Sequence, residues 1–225
     1  MPGRCLALSA ALVTLALTSV VAQQTGVHPI SGRRFAEVMD ASGASWLDRS
    51  ERDVEEAPDE AINIIGVKKG STVADIGAGS GYMTVKLAKR VSATGTVYAV
   101  DIQPRMIALL DERVKKAKLA NVKAVLGAID DPKLPAESID MALLVDVYHE
   151  FSQPQAMLRR LHDALKTGGR LILLEYRKED PSIPIRPEHK MSVAEAKQEV
   201  EAEGFKLARV DDGLPRQHVL IFNKR

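Results

Sequence analysis

The sequence predicts an α/β fold in which helices pack on both faces of a mostly parallel sheet, and three observations predict it. Short apolar runs alternate with amphipathic segments from residue 72 to residue 176, the pattern of strand–helix units in one parallel sheet. The run Ile139–Val145 is nearly continuous in apolar residues, as a strand covered on both faces must be. Finally, Val73-Ala-Asp-Ile-Gly-Ala-Gly-Ser-Gly-Tyr82 passes from an apolar strand through a glycine-rich turn straight into a helix. Such turns let the backbone approach a nucleotide-like ligand at the carboxyl ends of the strands.

Composition narrows the partners. With 225 residues the chain can bury the core of one domain of about 200 residues. Lys and Arg number 31 against 30 Asp and Glu, a balance that argues against nucleic acid, which favours a basic face. Residues 1–22 are a different material: Arg4 supplies a positive start, Cys5 to Val21 is apolar or small, and Val20-Val21-Ala22 ends the run. This reads as a secretory signal peptide cleaved after Ala22, which predicts export and no stable membrane association after its removal. An uncleaved anchor is the alternative, because the run approaches the ~18–20 residues that span a bilayer. Cys5 is the only cysteine, so the mature chain has no disulfide, thiolate ligand or cysteine nucleophile.

Residues 23–58 read as a linker and helical lid. A short helix is expected near Phe35–Met39, and a helical pattern from Trp46 to Ile65 is interrupted at Pro58, which opens a second helix. The lone tryptophan, Trp46, is expected to be buried. The main domain spans 59–225. Its strands are expected at Thr72–Ile76, Thr96–Val100, Val122–Leu126, Ile139–Val145 and Arg170–Tyr176. Helices are expected after the glycine turn, after Pro104 and after Ser152 and Pro154, the last ending at Gly168-Gly169. Lys178 to Glu188 carries three prolines and reads as a long loop placed to close over an acceptor pocket. Ser192 to Glu195 forms a capping box for a helix that stops at Gly204. Phe205–Val210 and His218–Phe222 make a terminal hairpin.

An acidic residue two places before a G-x-G-x-G turn, as Asp75 precedes Gly77, Gly79 and Gly81, resembles the first motif of the class I S-adenosylmethionine-dependent methyltransferases. A dinucleotide fingerprint would need glycine at position 82, where Tyr82 stands. The resemblance covers about residues 60–225 and is nearest to quinone-type and related small-molecule methyltransferases. It implies a Rossmann-like three-layer sandwich with a mostly parallel seven-stranded sheet and an antiparallel last strand. It also implies S-adenosyl-L-methionine as cofactor and a small-molecule methyl acceptor.

By the same resemblance, Asp75, Gly77, Ala78, Gly79 and Gly81 match the part that lies against the methionine portion of the cofactor. Asp101 matches the acid that accepts from both ribose hydroxyls, for which a carboxylate offers two oxygens. Ile102 follows it and is expected on the adenine face. After the third strand the family usually has Gly-Asp, whereas this chain has Gly127-Ala128-Ile129-Asp130-Asp131. Ala128 is then expected to supply a backbone contact and Ile129 an apolar cover. Asp130 either recovers the polar contact or joins Asp131 in a turn before Pro132.

The end of strand four, Asp146 to Phe151, matches the part of the family that faces the sulfonium and the acceptor. His149 is the general-base candidate, because a histidine side chain ordinarily titrates near neutral pH. Asp146 and Glu150 are the other catalytic candidates, Asp146 also for cofactor contact, with a helix cap or a solvent ion pair as the alternative for each. Glu175-Tyr176-Arg177 is expected in the acceptor wall. No compact spacing of metal ligands is present and no metal is expected, although His28, His189 and His218 lie where they can reach the same edge. The charged runs Lys115-Lys116 and Glu199–Glu203 read as solvated helix faces. Export would separate the chain from a cytosolic cofactor supply, so a non-catalytic S-adenosylmethionine-binding sensor is the alternative function. A nicotinamide-dependent oxidoreductase is the less favoured one.

Overall fold

The computed structural model describes residues 26–225. The segment read as a signal peptide, its cleavage point and Cys5 lie outside the described residues. Among the described residues no helix is long and apolar enough to cross a membrane.

Seven strands form one sheet: β1 (Thr72–Ile76), β2 (Thr96–Asp101), β3 (Val122–Leu126), β4 (Ile139–Val145), β5 (Leu165–Tyr176), β6 (Phe205–Asp211) and β7 (Gln217–Lys224). Their spatial order is β3-β2-β1-β4-β5-β7-β6. Only β7 runs against its neighbours, antiparallel to both β5 and β6. The chain moves outward from β1 to β3, then returns to lay β4 on the other side of β1. The strand order therefore reverses between β1 and β4, and a doubly wound sheet opens its ligand crevice at that reversal.

The helices are α1 (Ala44–Leu47), α2 (Arg52–Glu56), α3 (Pro58–Ile65), α4 (Tyr82–Val91), α5 (Pro104–Lys116), α6 (Pro154–Ala164) and α7 (Val193–Glu201). Strand residues alternate between two cores. Ala142 and Leu144 of β4 face Leu158 and Leu161 of α6 and Val200 of α7. Met141 and Leu143 face Ile62 and Ile65 of α3 and Leu87 of α4. This period of two, apolar on both sides, is why β4 reads as an unbroken hydrophobic run.

Pro58, Pro104 and Pro154 each sit in the first turn of their helices, where a missing N–H costs nothing. The Ser192–Glu195 capping box is complete. Three local expectations fail. The α6 helix stops at Ala164, and Gly168-Gly169 belong to β5. Gly168, at φ +75°, lies where the β4–β5 register shifts between Ile139 and Met141, so the glycines serve an irregularity in a strand rather than a helix end. Ser152 does not cap α6, whose cap position is Gln153 with no side-chain bond. Residues Phe35–Met39 are not helical: they run past the site, with the Ala36 N–H donating to the His149 carbonyl at 3.0 Å.

That N-terminal run is tied down by a buried charge cluster. Arg33 donates from Nε and Nη2 to both carboxylate oxygens of Glu199, each at 3.0 Å, and from Nη1 to the His149 carbonyl at 2.9 Å. Ser31 Oγ donates to the same Glu199 carboxylate. Glu199 is fully buried. Its membership of a charge run suggested a solvated face, but a forked arginine partner makes the buried position tenable.

Candidate active site

A cavity of about 490 Å³ opens at the carboxyl ends of β1, β2 and β4, where the strand order reverses. Its floor is the turn after β1. Gly77 (φ +70°) and Gly79 (φ +55°) hold left-handed backbone there, and a Cβ on Gly77 would stand 2.4 Å from Val147 Cγ2. Only glycine allows the turn to lie this close beneath the end of β4. Ala78 also lines the cavity. The Gly79 N–H donates to Asp101 Oδ2 at 2.9 Å and the Gln103 N–H to Oδ1 at 2.9 Å. These two bonds lock the acid at the end of β2 beside the glycine turn. Asp75 lines the cavity too, its Oδ2 accepting from Thr84 Oγ1 at 2.6 Å, and burial pushes its carboxyl up to about 6. Ile102 and Ile129 line the side beyond Asp101.

Two residues expected here are not on the cavity wall. Gly81 is the cap of α4 at φ +85°, where a Cβ would stand 3.2 Å from Leu110 Cγ, so its missing side chain lets α5 pack close. Ala128 has turned away: its N–H donates to the Asp131 carbonyl at 2.7 Å, and Asp131 Oδ1 accepts from the Lys133 N–H. Asp130 and Asp131 therefore build the turn around Pro132, as their Asp-Pro chemistry favours.

The end of β4 supplies the other wall. Asp146 holds φ +49°, a conformation rare for a residue with a side chain. Its Oδ2 accepts from Gln217 Nε2 at 2.6 Å, while its Oδ1 is buried without a hydrogen-bond partner. Burial, and then the negative charges of Glu56 and Glu175, push its carboxyl well up. Arg52, locked to Glu56 by an ion pair within α2, reaches the same cavity. Arg52 was not legible as a site residue, its only signal being the i, i+4 pairing with Glu56.

His149 is 2% exposed, and its Nδ1 lies 2.6 Å from Glu175 Oε2. The other oxygen of Glu175 accepts from the Tyr148 N–H at 2.9 Å. A carboxylate oxygen at this distance accepts, so Nδ1 is the donating nitrogen and Nε2 the one that faces outward from the pair. That Nε2 stands 3.2 Å from Nδ1 of His189. Burial pushes the Glu150 carboxyl up to about 7, the neighbouring His149 opposing it. Tyr176 also lines the cavity, whereas Arg177 turns away to donate to the carbonyls of Leu214, Pro215 and Gln217. Of the loop and strand-start histidines, only His189 reaches this edge. His28 is buried 3.5 Å from Glu199, and His218 is buried 3.9 Å from Asp212.

The rim comes from outside the sheet. Pro184, Ile185 and Arg186 cover it from the loop after β5, and Trp46 and Leu47 from α1. Trp46 is 41% exposed rather than buried, with the Arg49 guanidinium 3.8 Å above its ring.

A family model described as a methyltransferase domain matches residues 67–213, which carry the glycine turn, Asp101 and the His149 wall. The chain belongs to the class I S-adenosylmethionine-dependent methyltransferase family. The crystal structure of a SAM dependent methyltransferase from Aquifex aeolicus is 28% identical to this methyltransferase-family chain. That structure superposes with a TM-score of 0.77 over 83% of this chain and 98% of that one. The ubiquinone/menaquinone biosynthesis C-methyltransferase UbiE of Citrobacter koseri is 30% identical over 118 residues, 52% of this chain and 47% of its own length. The chain thus spans about half the length of the curated relatives it matches. The [4+2]-cyclase SpnF shares the fold alone, at 15% identity and a TM-score of 0.65 over 87% of this chain and 88% of its own. Fold by itself therefore does not fix the reaction.

The cofactor of this methyltransferase family is S-adenosylmethionine, and the residues present fit it. The glycine turn leaves room above it, the cavity is of ordinary small-ligand size, and the unpartnered Asp146 Oδ1 and the carboxylates of Asp75 and Asp101 suit a ligand carrying positive charge.

Proposed function

We propose that this chain transfers the methyl group of S-adenosylmethionine to a small-molecule acceptor held between His149, Glu150 and the loop after β5. When bound, the cofactor supplies a methyl group already activated on a sulfonium. The protein's part is then to place the acceptor, exclude water and remove a proton where the acceptor needs it. Asp101 accepts from the ribose hydroxyls, and Ile102 and Ile129 pack the adenine side. Arg52 offers its charge to the carboxylate end of the amino-acid tail, and the orphaned Asp146 oxygen offers a hydrogen-bond partner to its amino end. Pro184, Ile185, Phe151 and Trp46 give the acceptor an apolar enclosure. The name of the UbiE relatives supports an acceptor of small-molecule type.

The observation that carries this reading is the buried Glu175–His149 pair on the cavity wall, in which Glu175 holds Nδ1 and Nε2 meets His189 of the loop after β5. Glu175 is the positioning residue and His149 the group that receives the acceptor's proton. His149→Ala should lower kcat by about 10²-fold and leave cofactor affinity unchanged. The test is incubation with methyl-labelled cofactor and a small-molecule extract. Label leaving the cofactor supports the reading, whereas cofactor that binds and is recovered with its methyl group supports the sensor alternative.

A further inference from the structure

His149, Glu150 and His189 meet on one wall, although 40 residues separate the histidines. One ligand atom from each lies within 4.8 Å of the other two. His149 and Glu150 come from the short 3₁₀ turn Tyr148–Glu150 that follows β4, while His189 comes from another, Pro187–His189, at the end of the loop after β5. The two facing nitrogens, His149 Nε2 and His189 Nδ1, are 3.2 Å apart. Two imidazole nitrogens on one divalent ion at about 2.0–2.1 Å stand roughly 2.8–3.0 Å apart in octahedral geometry and roughly 3.3–3.4 Å apart in tetrahedral geometry. The observed separation lies between the two.

A second observation points the same way. Glu175 is fully buried and bonds Nδ1 of His149, while the Tyr148 N–H fixes the carboxylate from its other oxygen. A histidine that binds a metal through one nitrogen characteristically gives its other N–H to a carboxylate, which sets the tautomer and aims the lone pair.

We infer that His149 Nε2, His189 Nδ1 and the Glu150 carboxylate form a site for one divalent first-row transition ion on the acceptor wall of the cavity. Two imidazoles and one carboxylate suit zinc, cobalt, nickel, manganese or ferrous iron better than magnesium or calcium. Three protein ligands leave coordination positions open toward the cavity, where an acceptor's hydroxyl or carbonyl oxygen binds. The role rests on the proposed methyl transfer: the ion would hold that oxygen and make its hydroxyl acidic enough to give its proton to water before the methyl transfers, in place of proton removal by the His149 lone pair. Ion binding itself needs neither cofactor nor acceptor. The ion would also fasten the loop carrying Pro184 to Arg186 against the end of β4.

The test is titration of the chelator-treated full chain with Co²⁺, read by calorimetry and by the visible absorption of the bound ion. One equivalent per chain is expected. His149→Ala and His189→Ala should each weaken binding by 10-fold or more, and Glu175→Gln by about 10–100-fold with stoichiometry kept. His162→Ala, on α6 away from the cavity, should change nothing. Titration of each variant with S-adenosylhomocysteine reports that it is folded. His189→Ala alters a loop rather than the core, so it remains informative if His149→Ala fails to fold. Absence of Co²⁺ binding up to millimolar concentration would overturn the site and leave only a histidine–histidine hydrogen bond. One equivalent bound equally well by both histidine variants would overturn it too. Co²⁺ bound as expected by a chain that ignores S-adenosylhomocysteine would support the site and sink the proposed function instead.

Discussion

Asp75 and Asp101 are both buried acids at strand ends, yet they answer to different partners. Asp75 takes one hydroxyl bond from Thr84, and burial pushes it up to about 6. The folded chain then holds that proton more tightly than the unfolded chain, in which an Asp titrates near 3.9. Stability therefore falls as pH rises from about 4 to about 6, and a deficit of about 3 kcal/mol persists above that window. Asp75→Asn keeps an acceptor for Thr84 and removes the charge. Cofactor-free Asp75→Asn should melt above the parent at pH 8, and the gap should close toward pH 4. A variant that melts below the parent at both pH values contradicts this account. Asp101, held by two backbone N–H groups, is assigned to the ligand. Asp101→Ala should weaken cofactor binding by about 1–3 kcal/mol, and Asp101→Asn by less, because it keeps one acceptor. Calorimetric titration of both variants checks this, and parental affinity in both would place the ribose contact elsewhere.

At the scale of elements, strands and turns were legible and side-chain meetings were not. The limits of β1, β3 and β4 follow from apolar runs bounded by turn residues, and the starts of α3, α5 and α6 from prolines at first-turn positions. Gly168-Gly169 misled because the same glycines that end helices also relax an irregular strand. His189 near His149, Glu175 behind His149 and Glu199 beneath Arg33 depend on where a loop and a lid settle on the sheet. No local period encodes such contacts. Two element-level outcomes follow. Gly79→Val should abolish cofactor binding and also lower the melting temperature, because a β-branched residue is strained at φ +55° and its Cβ would stand 2.8 Å from the tip of Leu47. Far-ultraviolet circular dichroism and titration together would show this, and retained affinity would remove the turn from the site. Arg33→Ala strands the fully buried Glu199 without its forked partner and should cost about 3–5 kcal/mol by denaturant unfolding. A loss below about 1 kcal/mol would mean that the N-terminal run does not depend on this cluster.

For the whole molecule, the order of the strands places the cavity, the glycine turn forms its floor, and α1, α2 and the loop after β5 line its rim. The secretory reading of residues 1–22 predicts mature protein beginning at Gln23. Intact-mass measurement of protein made with its native start should show the loss of those residues, and full-length mass in the cytosol would contradict export. This cavity suits S-adenosylmethionine rather than a dinucleotide, since Tyr82 occupies the position a third fingerprint glycine would need. Isothermal titration of the folded chain with S-adenosylmethionine, S-adenosylhomocysteine and NAD tests it most directly. The first two should bind at one site per chain, and NAD should not. Binding of NAD in preference to S-adenosylmethionine would contradict it.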